Sequence, residues 1–181
     1  MKTEKNALSS QRINGFCRLI FIFMLCSIIG WIWEEAYCLI KHGFWVERGF
    51  LFGPLLPIYG FGGMSVYLIK EKLIKNPFLL FPVSFLTAGI IEYVGHFLLE
   101  KLFDQKWWDY TGRFLNINGR VHVIGLLFFA TAGCLAAYFV IPPFMRLIDK
   151  GNKKVMSIIA YVLFSLLMTD TLISSVLHFI K

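Results

Sequence analysis

Five long apolar stretches restrict the fold of this chain more than any other feature. They cover residues 19–40, 49–69, 78–99, 121–141 and 155–180. About 20 apolar residues are needed for a helix to cross a bilayer core, and lipid admits only helices or closed barrels. Of the 181 residues, 57% are hydrophobic and 16% charged, whereas roughly a quarter are charged in soluble domains. The sequence therefore predicts an all-α transmembrane bundle of about five spans.

The short connections between the stretches predict one domain. We expect a cytoplasmic basic leader over residues 1–18 and a single transmembrane domain over 19–181. The leader and the connections 70–77 and 142–154 together hold eleven Lys and Arg, against seven on the opposite side. The positive-inside rule then places the amino terminus in the cytoplasm.

The charge and cysteine patterns exclude several classes of function. The net charge of +7 is shared among all the connections, without the basic stripe of a nucleic-acid-binding protein. The four cysteines show no C-x-x-C spacing, so neither a disulfide framework nor a thiolate metal site is indicated. We expect no nucleic-acid partner, no cofactor and no metal. The expected partner is the lipid bilayer that surrounds the helices.

Glycine and proline interrupt the second stretch. A straight helix through Gly53-Pro54-Leu55-Leu56-Pro57 would lose backbone hydrogen bonds that lipid cannot replace. We predict a kinked or partly unwound entry, covered by other helices or by a water-filled cavity. Broken helices frame binding sites in transporters, but a proline kink without a ligand is an equally good interpretation. Elsewhere Asn76-Pro77 predicts a helix start and Pro142-Pro143 predicts the end of the fourth span.

Ionisable residues inside the predicted spans concentrate toward one side of the membrane. They are Glu34, Glu35, Glu92, His96, His122 and His178. Glu34 and Glu35 lie about 8 to 9 Å from the outer end of their span, at 1.5 Å per residue. Only Asp170 lies near the midplane, where with Ser174 it is predicted to join helices. The pattern predicts a polar pocket open to one side and disfavours an ion relay across the whole membrane.

The spacing of these residues allows two kinds of chemistry. Glu92 and His96 are four residues apart and can hydrogen-bond directly on one helix face, either as two metal ligands or as a structural tie. Glu34 and Glu35 point about 100° apart, which rules out a simple carboxylate pair. Outside the spans, the connection 107–120 brings aromatic, amide and arginine groups to the expected pocket mouth, where they could contact a ligand or anchor the interface.

Several segments resemble a family of small bacterial membrane proteins, the type IV ABC-transporter permeases. The matching residues are Gly30-Trp31 with Glu34, residues 48–54 and 57–60, Glu92-Tyr93, and residues 99–103, 107–110 and 116–120. The resemblance extends over about Phe21 to Ala132 and does not include the fifth stretch. One position departs from the family pattern, because Thr111 stands where a serine is expected. It implies a multi-pass protein of the bacterial cytoplasmic membrane.

The resemblance also implies a role in transport. The chain has no P-loop motif and no EAA-like coupling loop, so any ATPase must be a separate protein, and other membrane subunits are implied as well. Our first hypothesis is a permease or substrate-capture component with an outward-facing polar pocket and an unidentified small ligand. We predict ligand contacts from Glu34, Arg48, Tyr59, Glu92, His96, Trp108, Asp109, Asn118 and Arg120.

The alternative hypothesis is a membrane-embedded hydrolase, with or without a metal. It would use Glu34 or Glu35 together with the Glu92/His96 pair as acid, base or ligands. Intramembrane glutamate proteases also carry paired glutamates, but Leu39 occupies the position of their downstream arginine. The sequence therefore favours the non-enzymatic interpretation.

Overall fold

The computed structural model describes residues 13–43 and 49–180 as a bundle of helices. Its helices are α1 (Gly15–His42), α2 (Pro57–Lys72), α3 (Pro77–Phe103), α4 (Val123–Leu135), α5 (Ile141–Lys150) and α6 (Lys153–Ile180). A π-helical turn, Ala136–Val140, joins α4 to α5, and a short antiparallel hairpin pairs β1 (Asn116–Ile117) with β2 (Val121–His122). The predicted all-α class is confirmed.

Four helices in the described part of the chain are long and apolar enough to cross a membrane. They are α1, α3, the continuous helix Val123–Lys150, and α6. The remaining helix, α2, has 16 residues, or about 24 Å at 1.5 Å per residue. It is therefore shorter than the bilayer core, and the exact number of five spans stays a prediction.

Capping residues mark several helix ends, and the helix start predicted at Asn76-Pro77 is confirmed as the start of α3. Asn76 accepts a hydrogen bond from the Phe78 N–H at 2.9 Å, and Pro77 occupies the first turn. At the start of α1, Asn14 accepts from the Cys17 N–H at 2.7 Å. Gly43 ends the same helix with a positive φ of 76°, a conformation that glycine adopts without strain.

The predicted unwound entry to the second stretch is present. Residues 49–56 are not helical, and the structure supplies partners for their backbone from two other helices. The Asp170 carboxylate of α6 accepts from the Phe52 and Gly53 N–H groups at 3.1 and 2.9 Å, and the Leu56 N–H donates to the Ser27 carbonyl of α1 at 3.2 Å. This segment therefore satisfies part of its backbone within the protein, as a lipid environment requires.

The prediction that Pro142-Pro143 ends the fourth span is wrong. The helix continues through both prolines to Lys150. The π-helical turn directly before them closes with a bond from the Ile141 N–H to the Ala136 carbonyl. Because a π turn widens the helix and shifts the hydrogen-bond register, it accommodates the missing N–H groups and the proline rings.

Small residues let α1 and α2 approach closely near the middle of the bundle. A Cβ added to Gly60 would overlap Ser27 and Phe23, and one added to Gly63 would overlap Cys26. At the end of the bundle opposite the hairpin, Arg18 of α1 binds Asp149 of α5 through two hydrogen bonds of 2.9 and 2.7 Å. These contacts make α1 the most buried of the four long helices.

Replacing Asp170 should destabilise the unwound segment. Asp170→Asn keeps only one carbonyl acceptor for two backbone N–H donors, and hydrogen bonds to charged groups contribute about 1.5–3 kcal/mol. We expect a loss of about 2 kcal/mol and a melting temperature lower by about 4–8 °C in detergent.

Thr169→Val is the matched control for Asp170, because the exposed Thr169 hydroxyl donates to the Ser165 carbonyl of its own helix. It should melt within about 1–2 °C of the parent protein, since such surface substitutions change stability by about 0.5 kcal/mol or less. Equal melting temperatures for the two variants would contradict the role given to Asp170.

Candidate functional site

A cavity of about 200 Å³ lies between α1, α2, α3 and α4. Its walls are mostly apolar and aromatic, and they include Trp33, Tyr59, Glu92, Phe128 and Phe129. The Trp33 and Phe128 rings stack with centroids 4.9 Å apart, and Tyr59 packs on Phe129 at the same centroid distance. Gly62 also lines the cavity, and a Cβ there would meet nothing within 4 Å.

Two acid–phenol pairs meet at one end of this cavity. The Tyr59 hydroxyl donates to Glu34 Oε1 at 2.6 Å, and the Tyr110 hydroxyl hydrogen-bonds the Glu92 carboxylate. Glu92 also interacts electrostatically with Glu34. Gly30 makes the first pair possible, because a Cβ at this position would overlap the Tyr59 ring.

Glu92 is the buried acid of this cluster. Its side chain is 2% exposed, and its Oε2 atom has no hydrogen-bond partner among the described residues. A buried carboxylate oxygen without a partner is costly. Of the predicted site residues, the structure brings together Glu34, Tyr59 and Glu92. Glu35 is also buried, at 4% exposure, but it does not line the cavity.

His96 does not form the expected hydrogen bond with Glu92. Its Nε2 donates to the Trp108 carbonyl at 2.9 Å, and its Nδ1 lies 3.6 Å from Glu100 Oε2. Both contacts lie toward the carboxyl end of α3, because residues 104–122 fold back over this end of the helix. The described residues contain no group of three or more His, Cys, Asp or Glu placed to hold a metal. The expected direct contact between Glu92 and His96 is therefore wrong, and the hydrolase alternative stays a prediction.

Residues 104–122, here called the capping loop, hold most of the other predicted site residues. Arg120 donates to Glu100 at 2.7 Å and to the Tyr93 hydroxyl at 3.1 Å, and Asn118 donates to the same hydroxyl at 2.9 Å. The Trp108 indole N–H donates to the Arg120 carbonyl at 2.9 Å. These side chains fasten the loop to α3, and a ligand-binding role for them stays a prediction.

Hydrogen bonds of two capping-loop residues shift the pKa values of their side chains. Asp109 accepts from the Thr111 hydroxyl and N–H at 2.6 and 2.8 Å, which lowers the pKa of its carboxyl group below the ordinary 3.8. The bond to Glu100 raises the pKa of Arg120. A carboxylate and a guanidinium therefore persist in the loop at neutral pH.

The sequence analysis did not predict the role of Tyr110. Tyr110 belongs to the Trp107-Trp108-Asp109-Tyr110 motif, but only the folded loop turns its hydroxyl toward Glu92. Its ring lies 4.2 Å from that of His122. Trp33 and Phe128 were not predicted as cavity walls either, because an aromatic residue in a span carries no such signal. Arg48 lies outside the described residues.

Together, the long apolar helices and the polar cluster among them define a multi-pass helical membrane protein. A family model described as "Putative ABC-transporter type IV" matches residues 21–175. The chain belongs to this family, which associates it with membrane transport. The match includes most of α6, so the expectation that the fifth stretch lies outside the resemblance is wrong. No curated protein and no solved structure matches the chain.

Filling the space of Gly30 should disturb the acid–phenol pair of Glu34 and Tyr59. In Gly30→Ala the new methyl group overlaps the Tyr59 ring, and overpacking of this kind costs about 1–3 kcal/mol. We expect a melting temperature lower by several degrees. Gly95→Ala is the control, because a Cβ at Gly95 meets nothing within 4 Å. A Gly30→Ala variant as stable as Gly95→Ala would contradict the close approach.

Acid should loosen the capping loop through Asp109. Because the folded-state pKa of its carboxyl group is lowered, the stabilisation is present above the unfolded value near 3.8 and is lost as the pH falls through the folded value. Hydrogen exchange of the Thr111 amide, corrected for the intrinsic rate, should be constant from pH 8 to about 5 and accelerate below about 4. Asp109→Asn should remove this pH dependence, and an unchanged profile in the variant would refute the assignment.

Proposed function

We propose that this protein is a ligand-capture component, or permease-like subunit, of a bacterial transport system in the cytoplasmic membrane. The cavity between α1, α2, α3 and α4 would hold the ligand, and the capping loop would lie at the extracytoplasmic side. In this orientation the amino terminus is cytoplasmic, in accord with the distribution of Lys and Arg along the chain.

The observation that carries this proposal is the buried Oε2 of Glu92, which lies in the wall of an apolar cavity and has no hydrogen-bond partner in residues 13–43 and 49–180. Ligand sites combine mostly apolar walls with a few converging polar groups, and charged residues at membrane depth are functional candidates by default. An apolar cavity of about 150 Å³ accepts benzene. The present cavity is somewhat larger, so it has room for a ring of that size with a short polar arm.

The polar groups of the bundle support capture from one side. Glu34, Tyr59 and Glu92 lie toward the end that carries the capping loop. The opposite end holds the Arg18–Asp149 ion pair next to a core of buried residues from α1, α5 and α6. Passage of a ligand from the cavity to the Arg18–Asp149 end would need a rearrangement of packed helices. A separate ATPase or other membrane subunits would drive this rearrangement, because the chain itself has no P-loop.

Filling the cavity should abolish ligand binding. The test measures melting temperatures of the purified full chain in detergent with benzyl alcohol, benzylammonium or benzoate, which share a ring but differ in charge. At about 100 times the Kd, a ligand of the folded state adds about 2.7 kcal/mol, which shifts the melting temperature by several degrees. We expect at least one probe to give a saturable shift that is lost in Gly62→Leu.

Gly95→Leu is the matched control for Gly62→Leu. Gly95 has open space around its Cβ position but does not line the cavity, so the control should bind the probe as the parent protein does. The proposal fails if none of the three probes gives a saturable shift, or if Gly62→Leu binds as tightly as Gly95→Leu.

A further inference from the structure

We propose that the ligand of this cavity is a small organic ammonium ion, with its nitrogen between Glu92 and Tyr59 and its hydrocarbon part against the aromatic walls. This inference rests on the proposed function and specifies the chemical class of the ligand. The hydrogen-bonding groups, the charges and the walls of the site all favour such a ligand.

The two tyrosine hydroxyls at the polar end of the cavity already donate hydrogen bonds. A tyrosine hydroxyl has one proton to donate. The Tyr59 hydroxyl donates its hydrogen bond to Glu34, and the Tyr110 hydroxyl donates its hydrogen bond to Glu92. Within the described part of the chain, two acceptors stay available at this end: the lone pairs of the Tyr59 oxygen and the Oε2 of Glu92. A ligand that fits them must bring its own hydrogen-bond donors.

The charges near the cavity favour the same kind of ligand. Among the described residues that line it, Glu92 is acidic and none is Lys, Arg or His. Glu34 adds a second carboxyl group behind Tyr59. Arg120 of the capping loop does not line the cavity, and its guanidinium donates to Glu100 and Tyr93. An anionic ligand would therefore meet an acid and no cationic side chain among the described lining residues, whereas a cation would pair with Glu92.

The cavity walls favour an organic cation over a metal ion. Trp33 stacked on Phe128, and Tyr59 packed on Phe129, offer aromatic faces that attract an ammonium group and also accept hydrocarbon. Hard metal cations require six or more oxygen ligands, and the described residues contain no cluster of three potential ligands. An ammonium ion with a hydrocarbon part matches both the polar end and the apolar walls.

The test compares benzylammonium with benzyl alcohol and benzoate on the full chain in detergent at neutral pH. We expect a saturable rise in melting temperature for benzylammonium, with Kd at least about tenfold lower than for the two other probes. In Glu92→Gln, which removes the charge but keeps the shape, the Kd for benzylammonium should rise by about tenfold or more. Glu71→Gln, an exposed position at the opposite end of α2, should leave the Kd unchanged.

A second variant keeps the proposal testable if Glu92→Gln does not fold. Tyr59→Phe keeps the ring but removes the acceptor oxygen, and it should also weaken binding of benzylammonium. Binding that is unchanged in each folded variant would overturn the assignment. Saturable binding of benzoate or benzyl alcohol in preference to benzylammonium, lost in Gly62→Leu, would overturn the ammonium class and leave the capture function standing. Absence of binding by all three probes would overturn both.

Discussion

The close approach of α1 and α2 is the contact on which the rest of the structure depends. Glycines at positions 30, 60 and 63 leave no room for a Cβ between the two helices. Only at this separation does the Tyr59 ring lie against Gly30, where its hydroxyl reaches Glu34. Without a hydrophobic force between helices in lipid, such packing of small residues is a principal source of association. The glycine contact therefore stabilises the bundle and also sets one wall of the cavity.

The broken entry to α2 has a cost that other helices offset. Residues 49–56 cannot form a regular helix across Pro54 and Pro57, and exposed backbone groups are expensive in hydrocarbon. Asp170 accepts two of their N–H groups, and Ser27 accepts a third. The one acidic residue near the middle of α6 thus has a structural explanation. The functional interpretation instead belongs to Glu92, whose Oε2 has no partner in the described structure.

The fold was largely predictable from sequence, and the site only in part. Apolar stretches of sufficient length predicted the helices, and the Gly/Pro pattern predicted the unwound entry, because both follow from backbone hydrogen bonding in lipid. The end of the fourth span was misplaced, since a π-helical turn before Pro142 lets the helix continue. The partner of His96 was also wrong. Helix periodicity offered Glu92, but the capping loop supplies the Trp108 carbonyl instead.

The sequence by itself determined the membrane class, the concentration of ionisable residues at one end of the bundle, and the candidates Glu34 and Glu92. These properties depend on composition and on position along each helix. Only the tertiary structure decided that Tyr59 and Tyr110 are the hydrogen-bond partners of the two acids, and that Arg120 and Asn118 fasten the capping loop. Such pairings depend on helix rotation and loop path, which arise from packing between segments distant in the chain.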